Sequence, residues 1–142
     1  MIPMELARIV ISETSEEQII VLKEKGGDRA FPIVIGIWEA FAIDRGIKQK
    51  KAPRPMTHDL IENVIKGLNA KLEKVVVSDL REQTFYAKLV IKQNGVLAEV
   101  DSRPSDAIAI AVQMSAPIFV EDSVLEKLSK KQQEEQGPGL SI

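Results

Sequence analysis

Two short polar segments hold the residues best suited to chemistry. The first, Pro53-Arg54-Pro55-Met56-Thr57-His58-Asp59-Leu60, is a turn stiffened by two prolines that feeds the start of a helix. Free amides and a partial positive charge make such a start receptive to phosphate. Arg54 offers a bidentate donor for the same group, and His58, the single histidine of the chain, is suited to exchange protons near neutral pH. The second segment, Asp101-Ser102-Arg103-Pro104-Ser105-Asp106, places two carboxylates, two hydroxyls and a guanidinium within six residues. Oxygen ligands of this kind suit Mg²⁺ or Mn²⁺, which makes Asp101 and Asp106 candidate ligands for a divalent cation; no other cofactor is expected. Glu39 and Asp59 are further candidate acids. Ser102, Arg103 and Ser105 are candidate substrate contacts, and so are Lys50 and Lys51, which lie in a basic run just before the histidine segment.

Each of these residues also has a plainer role. Thr57 and Ser102 suit helix caps, Glu39, Asp59 and Asp106 suit first-turn positions near the positive end of a helix dipole, and a lysine run is commonly a solvated face.

The composition narrows the chemistry. In 142 residues, 19 Lys+Arg face 21 Asp+Glu for a net charge of -2, so the chain does not hold nucleic acid by bulk charge and any such contact must be local. Absence of cysteine excludes disulfides, thiolate zinc sites and cysteine nucleophiles, and one histidine excludes a His-Glu-x-x-His metal site. A chain of this length folds as one domain, expected over residues 1–130, with a polar disordered tail at 131–142 that includes Gly137-Pro138-Gly139. No apolar run approaches a membrane span, and Met1-Ile2-Pro3-Met4-Glu5 does not read as a signal peptide, so a cytoplasmic protein without membrane contact is expected.

The elements that must position these groups follow from periodicity and turn chemistry. Leu6 to Ser12, Gln18 to Lys23 and Phe31 to Ile35 read as an antiparallel meander, with Glu13 to Glu16 and Gly26-Gly27 at its reversals and Pro32 confining the third strand to an edge or to its first residue. Ile37 to Lys48 shifts to helical spacing, with Trp38, Phe41 and Ala42 on one side. Pro53 and Pro55 forbid helix between Lys48 and Pro55. Thr57 then caps a second helix whose Leu60, Ile61, Val64, Ile65 and Leu68 form one buried stripe. A strand from Leu72 to Ser78, turning through Asp79 to Glu82, opens a second meander. There Asn94-Gly95 predicts a type I′ hairpin with Leu89 opposite Val100, Ile91 opposite Ala98, and an ion pair between Lys88 and Asp101. Ala107 to Val112 is apolar on every side, so that helix lies between a sheet and other helices or forms a homo-oligomer interface. Pro117 to Val120 reads as a strand, and Ser123 with Glu126 opens a last helix that turns Leu125 and Leu128 inward. The predicted order is βββααβββαβα, an α+β fold of two antiparallel meanders and four helices.

Ile35-Gly36-x-x-Glu39-Ala40, the Pro53-Arg54-Pro55-x-Thr57-His58-Asp59-Leu60 segment, Ser102-Arg103-Pro104-Ser105-Asp106-Ala107-Ile108-Ala109, and Ala116-Pro117-Ile118-Phe119-Val120 together resemble the bifunctional nuclease domain family. The resemblance runs from about Leu6 to Leu128. It implies an α+β fold and hydrolysis of phosphodiester bonds in both DNA and RNA. Residue chemistry then suggests His58 as general acid/base, Asp101 and Asp106 as ligands of a metal or orienters of water, and Arg54 and Arg103 as phosphate contacts. Two rivals remain: a non-enzymatic oligomeric module for a small anion or partner protein, in which the same residues are salt bridges anchoring helix starts, and nucleic-acid binding without cleavage. The second is disfavoured by an aromatic content of 4%, because sequence-tolerant strand binders rely on stacking. Meeting of the two polar segments in one cleft would favour the enzyme.

Overall fold

In the computed structural model, which describes residues 1–135, the Ile- and Val-rich runs pair as two antiparallel meanders. The first comprises β1 (Ile2–Val10), β2 (Gln18–Glu24) and β3 (Ala30–Ile35). The second comprises β4 (Lys71–Arg81), β5 (Thr84–Gln93) and β6 (Val96–Ser102). A three-residue strand, β7 (Ile118–Val120), joins them into one mixed seven-stranded sheet of order β3-β2-β1-β7-β4-β5-β6. It runs antiparallel to β1 and parallel to β4. Pro32, on the edge strand β3, sits where a missing amide costs no ladder bond.

The sheet is strongly curled. Phe31 of β3 stacks on Phe85 of β5 with ring centroids 5.4 Å apart, although the two strands stand five places apart in the sheet. A flat sheet would separate them by about 24 Å. Bulges between Leu6 and Arg8, Leu72 and Lys74, and Val77 and Asp79 add the local twist that brings the rings together.

The Asn94-Gly95 hairpin forms with both residues at positive φ, 49° and 77°, and every predicted pair of β5 with β6 is in register. Its ion pair is corrected: Lys88 reaches diagonally to Glu99 at 2.8 Å. The turn before it tightens to Glu82 and Gln83, both at positive φ, so β4 takes in Asp79 to Arg81 of the predicted Asp79–Glu82 loop.

Four helices complete the described chain: α1 (Ile37–Lys48), α2 (Thr57–Gly67), α3 (Pro104–Met114) and α4 (Asp122–Glu135). α3 lies over β4 and β5 with α1 and α2 packed against it, and Ala107 to Ala111 are all buried. Its all-round apolarity is therefore satisfied within the chain, which removes the reason for an oligomer contact through this helix. Small residues allow the close approach: a Cβ on Gly46 of α1 would lie 3.2 Å from Val112. The same crowding decides the face of α1. Ala40, Ala42 and Ile43 go inward, and Trp38 and Phe41 are left facing water.

α2 departs further from its expected burial. Ile65 is buried and Ile61 partly so, but Leu60, Val64 and Leu68 are half exposed or more. Of the apolar stripe only Ile61 and Ile65 are covered, and periodicity does not say how much of such a stripe a neighbour covers. α4 begins at Asp122, buries Val124 and Leu125, and continues through Glu135, so residues 131–135 of the predicted tail are helical. Gly137-Pro138-Gly139 lies outside the described residues. No described helix is long and apolar enough to cross a membrane.

Candidate active site

Three helices begin at one cleft. Gly36 leaves β3 in an extended conformation and starts α1, which sets Glu39 in the first turn. A Cβ on Gly36 would run into the Glu39 carboxylate, so the glycine leaves room for that side chain to fold back. The Pro53–Pro55 turn delivers Met56 as the residue before α2, and the Met56 amide donates to Asp59 Oδ2 at 2.9 Å. The cap is thus supplied by Asp59, and Thr57 is the first helical residue instead of the predicted cap. Arg103 is the extended residue before α3, Pro104 occupies the first helical position, where its missing amide is harmless, and Asp106 follows in the first turn. Ser102 does not cap; its hydroxyl donates to the Arg103 carbonyl at 2.8 Å.

The side chains from these starts form a continuous network. His58 Nε2 donates to Asp106 Oδ1 at 3.0 Å, joining residues 48 positions apart. Arg103 Nε donates to Asp106 Oδ2 at 2.8 Å, and its terminal nitrogen lies 2.9 Å from Glu39 Oε1. Burial of the Asp106 carboxyl opposes ionisation, but the hydrogen bonds from Arg103 and His58 outweigh it and hold the pKa below the ordinary carboxylate range. The same contact with Asp106 raises Arg103 further. An ionised carboxylate can only accept, so Nε2 carries the imidazole proton and Nδ1 of the neutral ring keeps its lone pair. His58 is only 12% exposed, and the rigid pairings fix the ring. The surrounding cleft, about 530 Å³, is lined by these four residues together with Trp38, Phe41, Arg45 and Met56, among others.

The remaining predicted residues lie elsewhere. Asp101 pairs in register with Lys88, whereas the flanking Ala87 and Leu89 face the core under α3. Alternation therefore puts Asp101 on the opposite side of the sheet from Asp106, and the two do not form the predicted metal pair. Among the described residues no three His, Cys, Asp or Glu side chains gather to hold a metal ion. Between Glu39 and Asp106 the Arg103 guanidinium already supplies the neutralising charge. Ser105 is buried, and Arg54 is exposed between its prolines. Lys50, Lys51 and Asp59 line a neighbouring cleft of about 470 Å³ with Glu62 and Gln113, and Arg45 borders both clefts. Trp38, Phe41 and Arg45 were not legible as site residues. The available signal was the set of small residues on the far side of α1, which mark its buried face and leave the bulky rings outside.

The cleft brings together the two polar segments on which the family resemblance rests. A family model described as the bifunctional nuclease domain matches residues 20–133. The chain belongs to the bifunctional nuclease domain family. An uncharacterised protein of Mycobacterium tuberculosis is 42% identical over 117 residues, covering 82% of this chain and 70% of its own length. Bifunctional nuclease 1 of Oryza sativa subsp. indica is 25% identical over 114 residues, and bifunctional nuclease 2 of Oryza sativa subsp. japonica is 27% identical over 118. The matches cover 78% and 80% of this chain but only 34% and 36% of the rice proteins. At family level the membership supports a nuclease-like role with nucleic acid as substrate.

Proposed function

We propose that this chain hydrolyses phosphodiester bonds of DNA and RNA in the cleft where α1, α2 and α3 begin. The observation that carries the reading is the contact of His58 with Asp106, 3.0 Å across two sequence-distant motifs, beside Arg103. DNA has no 2′-hydroxyl, so a site that cleaves both polymers cannot rely on that group, and in this reading water is the nucleophile. His58 Nδ1 accepts a proton from water as its oxygen bonds to phosphorus and the ester P–O bond breaks. The imidazolium, stabilised by ionised Asp106, returns that proton to the leaving oxygen. Glu39 and Asp106 hold the guanidinium of Arg103, and Arg45 supplies a second cation at the cleft wall.

The test is cleavage of single-stranded and duplex DNA and RNA by purified wild type, His58→Ala and Asp106→Asn, each with and without chelator. Loss of cleavage in both variants is expected; if both cleave like wild type after repurification, the assignment is wrong. A chelator-sensitive wild type would add a metal bound through groups other than an Asp101/Asp106 pair.

One observation favours a second reading, a module that binds an anion or nucleic acid without cleaving. The same ion pairs tie three helix starts together, a structural role sufficient in itself. On that reading wild type binds nucleic acid and leaves it intact.

A further inference from the structure

Proton transfer and phosphate binding do not account for the apolar wall of the cleft. Trp38 is 76% exposed, and Phe41, one helical turn on, meets it edge-on with centroids 6.2 Å apart. Both line the cleft that holds His58, Asp106 and Arg103. Leading away from it, residues 45–54 contain Arg45, Lys48, Lys50, Lys51 and Arg54 and no acidic residue, although the whole chain is net negative. Lys48 is paired with Asp44 at 2.9 Å, but Arg45 borders both this cleft and the one lined by Lys50 and Lys51, so these three cations connect the two clefts among the carboxylates of Asp44, Asp59 and Glu62.

Resting on the nuclease reading of the same cleft, we propose that the substrate is taken as an unpaired strand. A base beside the scissile phosphate stacks on Trp38, Phe41 buttresses the indole, and the backbone leaves past Arg45 toward Lys50 and Lys51. Bases inside a duplex have both faces covered by their neighbours, whereas a splayed base offers a free π-face. Stacking is tolerant of sequence and does not read the sugar, as a site acting on both DNA and RNA requires. Arg45, Lys50 and Lys51 complement the phosphates on either side of that base.

Trp38 is the only tryptophan, so its fluorescence reports on this wall alone. Wild type would be titrated with a cleavage-resistant phosphorothioate single strand, the matched duplex, and an abasic strand of equal length. Saturable quenching by the single strand, and by neither of the others, is expected. Read by the anisotropy of a dye-labelled strand, since the variants lack tryptophan, Trp38→Ala should weaken single-strand binding by roughly 5- to 150-fold, with Trp38→Phe recovering much of the loss. Quenching by the abasic strand equal to that by the single strand would overturn the platform, as would unaltered single-strand binding by Trp38→Ala. So would a free protein whose tryptophan is shielded from acrylamide and whose oligomer dissociates on Trp38→Ala, because a second copy would then cover the ring. The two readings fail separately. Base-dependent quenching without cleavage of natural strands retains the platform and removes the nuclease, and cleavage sensitive to His58→Ala but not to Trp38→Ala does the reverse.

Discussion

The two clefts that share Arg45 are built in different ways. In the first, His58, Asp106, Arg103 and Glu39 come from three helix starts and are locked to one another by contacts of 2.8–3.0 Å. In the second, Lys50 and Lys51 are exposed side chains on an irregular segment, and the internal tie is Glu62, bonded to Gln113 at 2.6 Å and paired with Lys66. A proton transfer requires a donor and acceptor held at hydrogen-bond distance, whereas a polyanion is attracted by a field that tolerates movement of its sources. The first cleft has the construction suited to chemistry and the second that suited to capture.

Substitutions that treat the clefts differently would sharpen or break this division. The largest effect is expected from His58→Ala, a loss of about 10²- to 10⁴-fold in kcat. Asp106→Asn should come close to it, and the double variant should be little worse than either single one, since the pair acts as a unit. Steady-state kinetics on one fluorescent strand would read all three; additive losses would separate the residues. Arg103→Lys keeps the charge but cannot span Asp106 and Glu39 as a fork, so its kcat should fall by less than that of His58→Ala. Wild-type kcat in this variant would reduce Arg103 to a surface charge.

Lys50→Ala with Lys51→Ala should act chiefly on KM, and the slope of log Kd against log salt for a single strand should flatten by about 1.4. An unchanged slope would remove the second cleft from the binding path.

The smallest effect concerns stability. Asp106 titrates below its ordinary value of 3.8 in the folded protein, so its contribution is complete above that value and is lost as pH falls through the lower folded one. Asp106→Asn should therefore melt below wild type at neutral pH, with the difference narrowing in acid. A constant difference from neutral pH to strong acid would show that the ion pairs contribute nothing to the first cleft's rigidity.

What could be read in advance differs between the halves of the site. The Asn94-Gly95 turn predicted the register of β5 with β6 because a two-residue type I′ turn leaves the flanking strands one way to pair. That register already contained the failure of the metal pair, since Asp101 opposite Lys88 points away from the face α3 covers. The ion pair it suggested was displaced because Lys88 is long enough to reach Glu99 diagonally. The stripe of α2 was read as buried from its spacing, yet Leu60 and Leu68 remain 57% and 59% exposed.

Local order, turn types and the polar character of the two motifs were determined by the sequence alone, because each depends on residues within a few positions of one another. The meeting of His58 with Asp106, the turning out of Trp38, and the seating of β7 between the meanders were decided only by tertiary structure. Each depends on how closely α3 can approach α1 and α2 and on how far the sheet curls. Those are properties of packing between distant segments, and no local pattern encodes them.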